Sequence, residues 1–115
     1  MPQRCVRCGS VLANRGHDRE RAVLTVLRND GWFAMRAPAS LGSVDVVALR
    51  AGSRPRVVEV KSTAGGPYER FQPKDRAELA AVAKQAGADA FLAYWPPRGK
   101  LHWIAESDWP ETRAA

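Results

Sequence analysis

The sequence predicts an α/β domain: a central mixed five-stranded sheet flanked by helices. Three observations carry that expectation. An amphipathic segment near residues 17–30 precedes two valine-rich runs, 44–49 and 57–61, each of strand length. A second helical stripe opens at Pro73. Two further apolar runs, 91–95 and 101–105, follow it. The resulting order of helix, three strands, helix and two strands suits a sheet covered on both faces.

Each element has a local reason. Residues 1–14 are polar and basic without periodicity and read as an arm, leaving 15–115 as one domain. The first helix starts near His17 or Asp18, buries Val23, Leu24, Val26 and Leu27, and stops at Asp30-Gly31. Glu20 lies three and four residues before Val23 and Leu24, at the head of the apolar stripe. A strand at 32–36 and a tight segment at 37–43 lead into a hairpin of strands 44–50 and 56–61 turning at Gly52. The stretch 62–72 contains Gly65-Gly66-Pro67 and is expected to be a mobile loop. Pro73 opens the second helix, with Leu79, Val82, Ala83 and Ala86 on one stripe and Gly87 closing it. Pro96-Pro97-Arg98-Gly99 turns the chain between the last two strands, and the tail 106–115 is polar apart from Trp109.

Of the 115 residues 45% are hydrophobic, ordinary for a globular chain, and the net charge is +6. Arginine supplies 14 of the 18 cations. A GC-rich genome explains that ratio but not the cationic surplus, which favours nucleic acid over an acidic small molecule. No apolar stretch approaches the length of a membrane span, and the first ten residues lack a signal-peptide core. With two cysteines only, the expected compartment is a reducing cytoplasm.

The chemistry concentrates at Asp45 and at Glu59-Val60-Lys61. Alternation puts Glu59 and Lys61 on one sheet face with Val58 and Val60 on the other. A hairpin turning at Gly52 brings Asp45 directly across from Glu59. Two facing carboxylates repel, so the pair calls for a divalent cation or the Lys61 ammonium between them. Asp45, Glu59 and the Val60 carbonyl are the candidate ligands for Mg²⁺, for which Mn²⁺ would substitute. Glu20 can reach the same site from the helix, directly or through water. Lys61 can orient or deprotonate a water, or neutralise charge in a phosphodiester transition state. Arg15, Arg21 and Arg36 are placed to hold a phosphate backbone on either side.

The runs Arg15-Gly16 and Glu20-Arg21, Gly31-Trp32, Arg36-Ala37-Pro38-Ala39-Ser40, Val44-Asp45-Val46-Val47-Ala48 and Val58-Glu59-Val60-Lys61-Ser62 resemble the archaeal-type Holliday junction resolvases. These are PD-(D/E)XK, restriction-endonuclease-like nucleases, and the resemblance covers about residues 15–105. It implies a Mg²⁺-dependent homodimer that binds branched, four-way DNA and cuts two opposed strands symmetrically. By that resemblance Glu20, Asp45, Glu59 and Lys61 carry catalysis, and Arg15, Arg21, Arg36, Ser40 and Ser62 line the DNA-facing surface. Tyr68, Arg70, Phe71, Lys74 and Arg76 match a region such enzymes use near the junction or the dimer seam. Leu41 stands where the family often carries a small or polar residue. A related nuclease acting on flaps, nicks or duplex sites, or a DNA-binding module with a dead site, remain the alternatives.

Other residues have plainer readings. Cys5 and Cys8 have zinc-knuckle spacing, and His17 can add a third ligand or a dimer can pool two pairs. Tetrahedral zinc needs four ligands, so the expectation is reduced thiols on a loose arm. Phe91, Trp95, Trp103 and Ile104 suit core or a dimer interface, whereas Tyr68 and Phe71 sit in a polar loop and read as exposed aromatics. His102 shows no partner pattern.

Overall fold

The computed structural model describes residues 15–38 and 43–110. Cys5, Cys8, Ser40 and Leu41, and the side chains of Arg15 and His17, lie outside the described residues. The elements run α1 (Arg15–Asn29), β1 (Phe33–Arg36), β2 (Val46–Leu49), β3 (Arg56–Lys61), α2 (Pro73–Ala86), β4 (Asp89–Tyr94) and β5 (His102–Ala105), then a 3-10 turn at Glu106–Asp108. The strands form one five-stranded sheet in sequence order. Neighbours are antiparallel except β3 and β4, which are parallel and joined through α2. The mixed sheet expected from the sequence is the one observed.

Two turns require glycine. After α1, Gly31 adopts φ 89°, and the Trp32 N–H donates to Leu27 O at 3.0 Å, a left-handed closure that spares a Cβ clash. Gly52 adopts φ 78° in the β2–β3 connection, and the register it sets pairs Val46 with Val58 and Val47 with Val57.

The sheet separates two cores. Val23, Leu24 and Leu27 of α1 pack on Ala34, Val46, Ala48, Val58, Val60 and Ala93. On the opposite face Leu79 and Ala83 of α2 pack with Val57, Phe71, Ala90, Leu92, Tyr94 and Trp109. Beyond β3 that core extends only to Val44, Val47 and Ala37. Phe33 (62% exposed), Met35 and Leu49 on β1 and β2 are left open, so the expectation of strands covered on both faces holds only for the centre of the sheet. Among the described residues no helix is long and apolar enough to cross a membrane.

Two segments differ from expectation. The 62–72 stretch is tied down: Thr63 Oγ1 donates to Gly66 O at 2.7 Å, Tyr94 Oη donates to Thr63 O at 2.6 Å, and Phe71 is fully buried. The start of the supposed polar tail supplies the reason. Trp109 is buried, meets the Phe71 ring edge-on at 4.9 Å and donates its indole N–H to Ile104 O at 3.0 Å. An aromatic pair of this kind adds to the burial of each ring. Phe71→Ala should therefore lower unfolding free energy by about 3–5 kcal/mol, read from urea denaturation; a loss under about 1 kcal/mol would place the ring outside the core.

Candidate active site at the end of β3

The side chains of Asp45, Glu59 and Lys61 meet where β2 and β3 approach their common end. Strand alternation does the placing: Val58 and Val60 enter the α1 core, Val57 enters the α2 core, and Glu59 and Lys61 follow Val57 onto the α2 side. The β2–β3 ladder closes at Val46 and Val58, one step short of Asp45. There the Asp45 N–H donates to Val58 O at 2.8 Å, while its carboxylate Oδ2 accepts the Val60 N–H at 2.8 Å. A side chain thus replaces the backbone acceptor that Val60 would otherwise need. Because the N–H and C=O of a strand residue point to the same edge, the Val60 carbonyl faces the Asp45 side as well.

The electrostatics are those of crowded acids. Glu59 is 6% exposed, its Oε2 lies 3.0 Å from Lys61 Nζ, and its buried Oε1 has no hydrogen-bond partner among the described residues. Burial pushes the Glu59 carboxyl up to about 7, the Asp45 charge adds to that, and Lys61 opposes it. Burial likewise raises Asp45 to about 6 against the pull of the Val60 N–H, with Glu20 raising it further. One half-buried ammonium does not neutralise two carboxylates. An orphaned carboxylate oxygen beside a second acid and a strand carbonyl is a donor set that suits a hard divalent cation.

Glu20 is near but turned away. Its Oε1 pairs with Arg36 Nε at 3.0 Å, and among the described residues no three His, Cys, Asp or Glu side chains are grouped to hold a metal ion. Arg21 is exposed and lies 3.8 Å from Asp18. Arg70 and Lys74 are exposed, and Tyr68 is half-buried.

Phe71 and Arg76 depart from their expected surface positions. Phe71 is core, and Arg76 is 5% exposed, donating to the Phe71 carbonyl with its guanidinium 5.3 Å from the Tyr68 ring. Closing the 62–72 loop against α2 consumes both side chains.

Sequence reasoning overlooked Arg19. Its Nε donates to Ser62 Oγ at 3.4 Å, and its NH2 group donates to Pro96 O at 3.2 Å and Pro97 O at 3.1 Å. The signal was present: Arg19 stands four residues before Val23 and eight before Leu27, on the same stripe that singled out Glu20.

Comparison with known proteins bears on the family and the fold. The chain matches the family model described as archaeal Holliday junction resolvase (hjc) over residues 12–114. A curated relative, the crossover junction endodeoxyribonuclease Hjc of Sulfurisphaera tokodaii, is 32% identical over 91 residues, covering 74% of this chain. The match spans 62% of that relative's length. The fold is similar to that of Archaeoglobus fulgidus Hjc, a Holliday junction resolvase from an archaeal hyperthermophile, with a TM-score of 0.65 and 24% identity over 81% of this chain and 74% of that one.

The raised carboxyls make stability depend on pH in a defined sense. Their folded values, about 6 and about 7, exceed the ordinary 3.8 and 4.5, so the folded state binds more protons than the unfolded one in between. The contribution is complete below about pH 4 and is lost as pH rises through about 7. In metal-free buffer Asp45→Asn should therefore be more stable than wild type at pH 8, by on the order of 1–2 kcal/mol, with the gap closing toward pH 4. Urea midpoints at several pH values test this; a gap independent of pH would mean the pair is not electrostatically strained.

Proposed function

The chain belongs to the archaeal Holliday junction resolvase (Hjc) family and has its PD-(D/E)XK fold, and from that premise we propose that it is a Mg²⁺-dependent, structure-selective endodeoxyribonuclease resolving four-way DNA junctions as a homodimer. The observation that carries the chemistry is the Glu59 Oε1, without a hydrogen-bond partner among the described residues, beside Asp45 and Lys61 on one sheet face.

Asp45, Glu59 and the Val60 carbonyl are the groups that would hold the cation, with Glu20 available behind Arg36. A bound Mg²⁺ supplies Lewis acidity and positive charge for phosphodiester hydrolysis. The chain's own residues supply the rest. Asp45 is fixed by the Val60 N–H, so its carboxylate is positioned before any ligand arrives. Lys61 keeps an ammonium 3.0 Å from Glu59, where it neutralises negative charge that grows on the phosphate in the transition state. Arg36, 40% exposed at its side chain and paired with Glu20, offers a guanidinium fork to an adjacent phosphate.

The dimer reading draws on symmetry and on surface. A junction has two equivalent strands to cut, and a two-fold dimer presents two equivalent sites. Phe33, Met35 and Leu49 form an exposed apolar group on the sheet, of the kind a second copy would cover. Phe33→Glu should shift the protein from dimer to monomer in analytical ultracentrifugation; an unchanged sedimentation coefficient would remove that face from the interface.

The deciding experiment incubates the protein with a synthetic four-way junction, with and without Mg²⁺, and maps nicks on all strands. Symmetric nicks on opposed strands are expected only with the cation. Asp45→Ala and Lys61→Ala should slow cutting by about 10²–10³-fold while junction binding persists. Preferential cutting of flaps or linear duplex would reassign the substrate, and no cutting under any divalent cation would leave a DNA-binding module.

A further inference from the structure

The turn between β4 and β5 carries two cations that the proposed chemistry does not use. Arg98 and Lys100 are exposed, and among the described residues no ion pair or side-chain hydrogen bond engages either. The turn beneath them is built to hold its shape. Two successive prolines fix the entry. The Gly99 N–H donates to Pro96 O at 3.1 Å, and the Trp95 indole N–H donates to Gly99 O at 3.0 Å. Position 99 admits no side chain, since a Cβ there would lie 2.5 Å from Pro96 Cγ.

Arg19 ties this turn to the catalytic end of the sheet. Its guanidinium stacks 4.9 Å from the Trp95 ring, caps the carbonyls of Pro96 and Pro97 and reaches Ser62, the neighbour of Lys61. The Trp95 backbone N–H in turn donates to Lys61 O at 2.8 Å. A recess of about 460 Å³ is lined by Asp18, Arg19, Pro97 and Arg98. A second, of about 440 Å³, is lined by Ala64, Pro96, Pro97, Arg98 and Gly99. Arg98 borders both.

We infer that the 96–100 turn is a second DNA-backbone site, in which Arg98 and Lys100 contact phosphates of the strand leading away from the β3 catalytic cluster. The inference rests on the nuclease reading and adds a contact region to it. Rigidity matters: a guanidinium on a preformed turn loses less conformational freedom on binding than one on a loose loop. The location matters equally, because the turn leaves the sheet at the end where Lys61 pairs with Tyr94.

The salt dependence of binding tests the idea. Junction affinity is measured from 50 to 300 mM salt in EDTA, using a labelled four-way junction and three proteins: wild type, Arg98→Gln/Lys100→Gln, and Arg54→Gln/Lys84→Gln. The last removes the same charge from the opposite end of the sheet, where Arg54 pairs with Asp89 and Lys84 lines a separate recess. Each phosphate contact contributes about 0.9 to the slope of log K against log salt. The turn variant should lose roughly 1–2 from that slope and bind about tenfold more weakly, with the control unchanged. Equal slopes in all three proteins, or equal losses in both variants, would overturn the inference while leaving the nuclease reading intact. A wild type that binds no junction at any salt would overturn both.

Discussion

The hydrogen bond from the Val60 N–H to the Asp45 carboxylate, 2.8 Å long, is the contact on which the site depends. It forms where the β2–β3 ladder has run out, so a carboxylate stands in the place of a strand carbonyl. That substitution satisfies a backbone donor that would otherwise be buried and unpaired. It also fixes Asp45 beside Glu59, the less favourable neighbour for an acid. The fold tolerates the repulsion because both faces of β3 are packed, Val58 and Val60 against α1 and Val57 against the α2 layer. Packing of this kind holds a locally unfavourable arrangement in place, and such sites are where function is commonly found.

The same helix serves both flanks of that cluster. From adjacent positions on α1, Glu20 reaches Arg36 on the β1 side, and Arg19 reaches Ser62 and the β4–β5 turn. Together they fix the two ends of a surface centred on the β3 terminus, and they do so from the N-terminal turns of a helix whose later turns are core. A helix shift would therefore move both flanks at once, which gives the buried stripe of α1 a role in the site as well as in stability.

Much of this was legible in the residues. Alternation has a period of two, so valines at 58 and 60 leave Glu59 and Lys61 no choice of face, and the short linker with Gly52 fixes the register that brings Asp45 alongside. Legibility failed where distant segments close on one another. Nothing within residues 62–72 announces that Phe71 is covered, because its cover is Trp109, 38 positions later. Arg76 was misplaced for the same reason: its partner is a carbonyl of the folded loop, and a sequence does not display carbonyl positions. The exposed Phe33, Met35 and Leu49 were hidden too, since the lateral reach of α2 is a packing outcome.

On the proposed nuclease reading, the cluster itself says little about which DNA would be cut. Two acids, a lysine and the divalent cation they would hold suit hydrolysis of a phosphodiester in any backbone, so on that reading selectivity has to come from where the surrounding cations lie. Arg36 stands on β1 and the 96–100 turn borders β5, at opposite margins of the sheet. Four strand spacings of about 4.8 Å separate those margins by roughly 19 Å, which is about five to six base-pair steps at 3.4 Å each. On the proposed reading, a surface that wide would meet one duplex arm on either side of a cut and would not by itself detect a branch. Recognition of four arms would then belong to the relative placement of two such surfaces in the proposed dimer and not to the residues of the cluster.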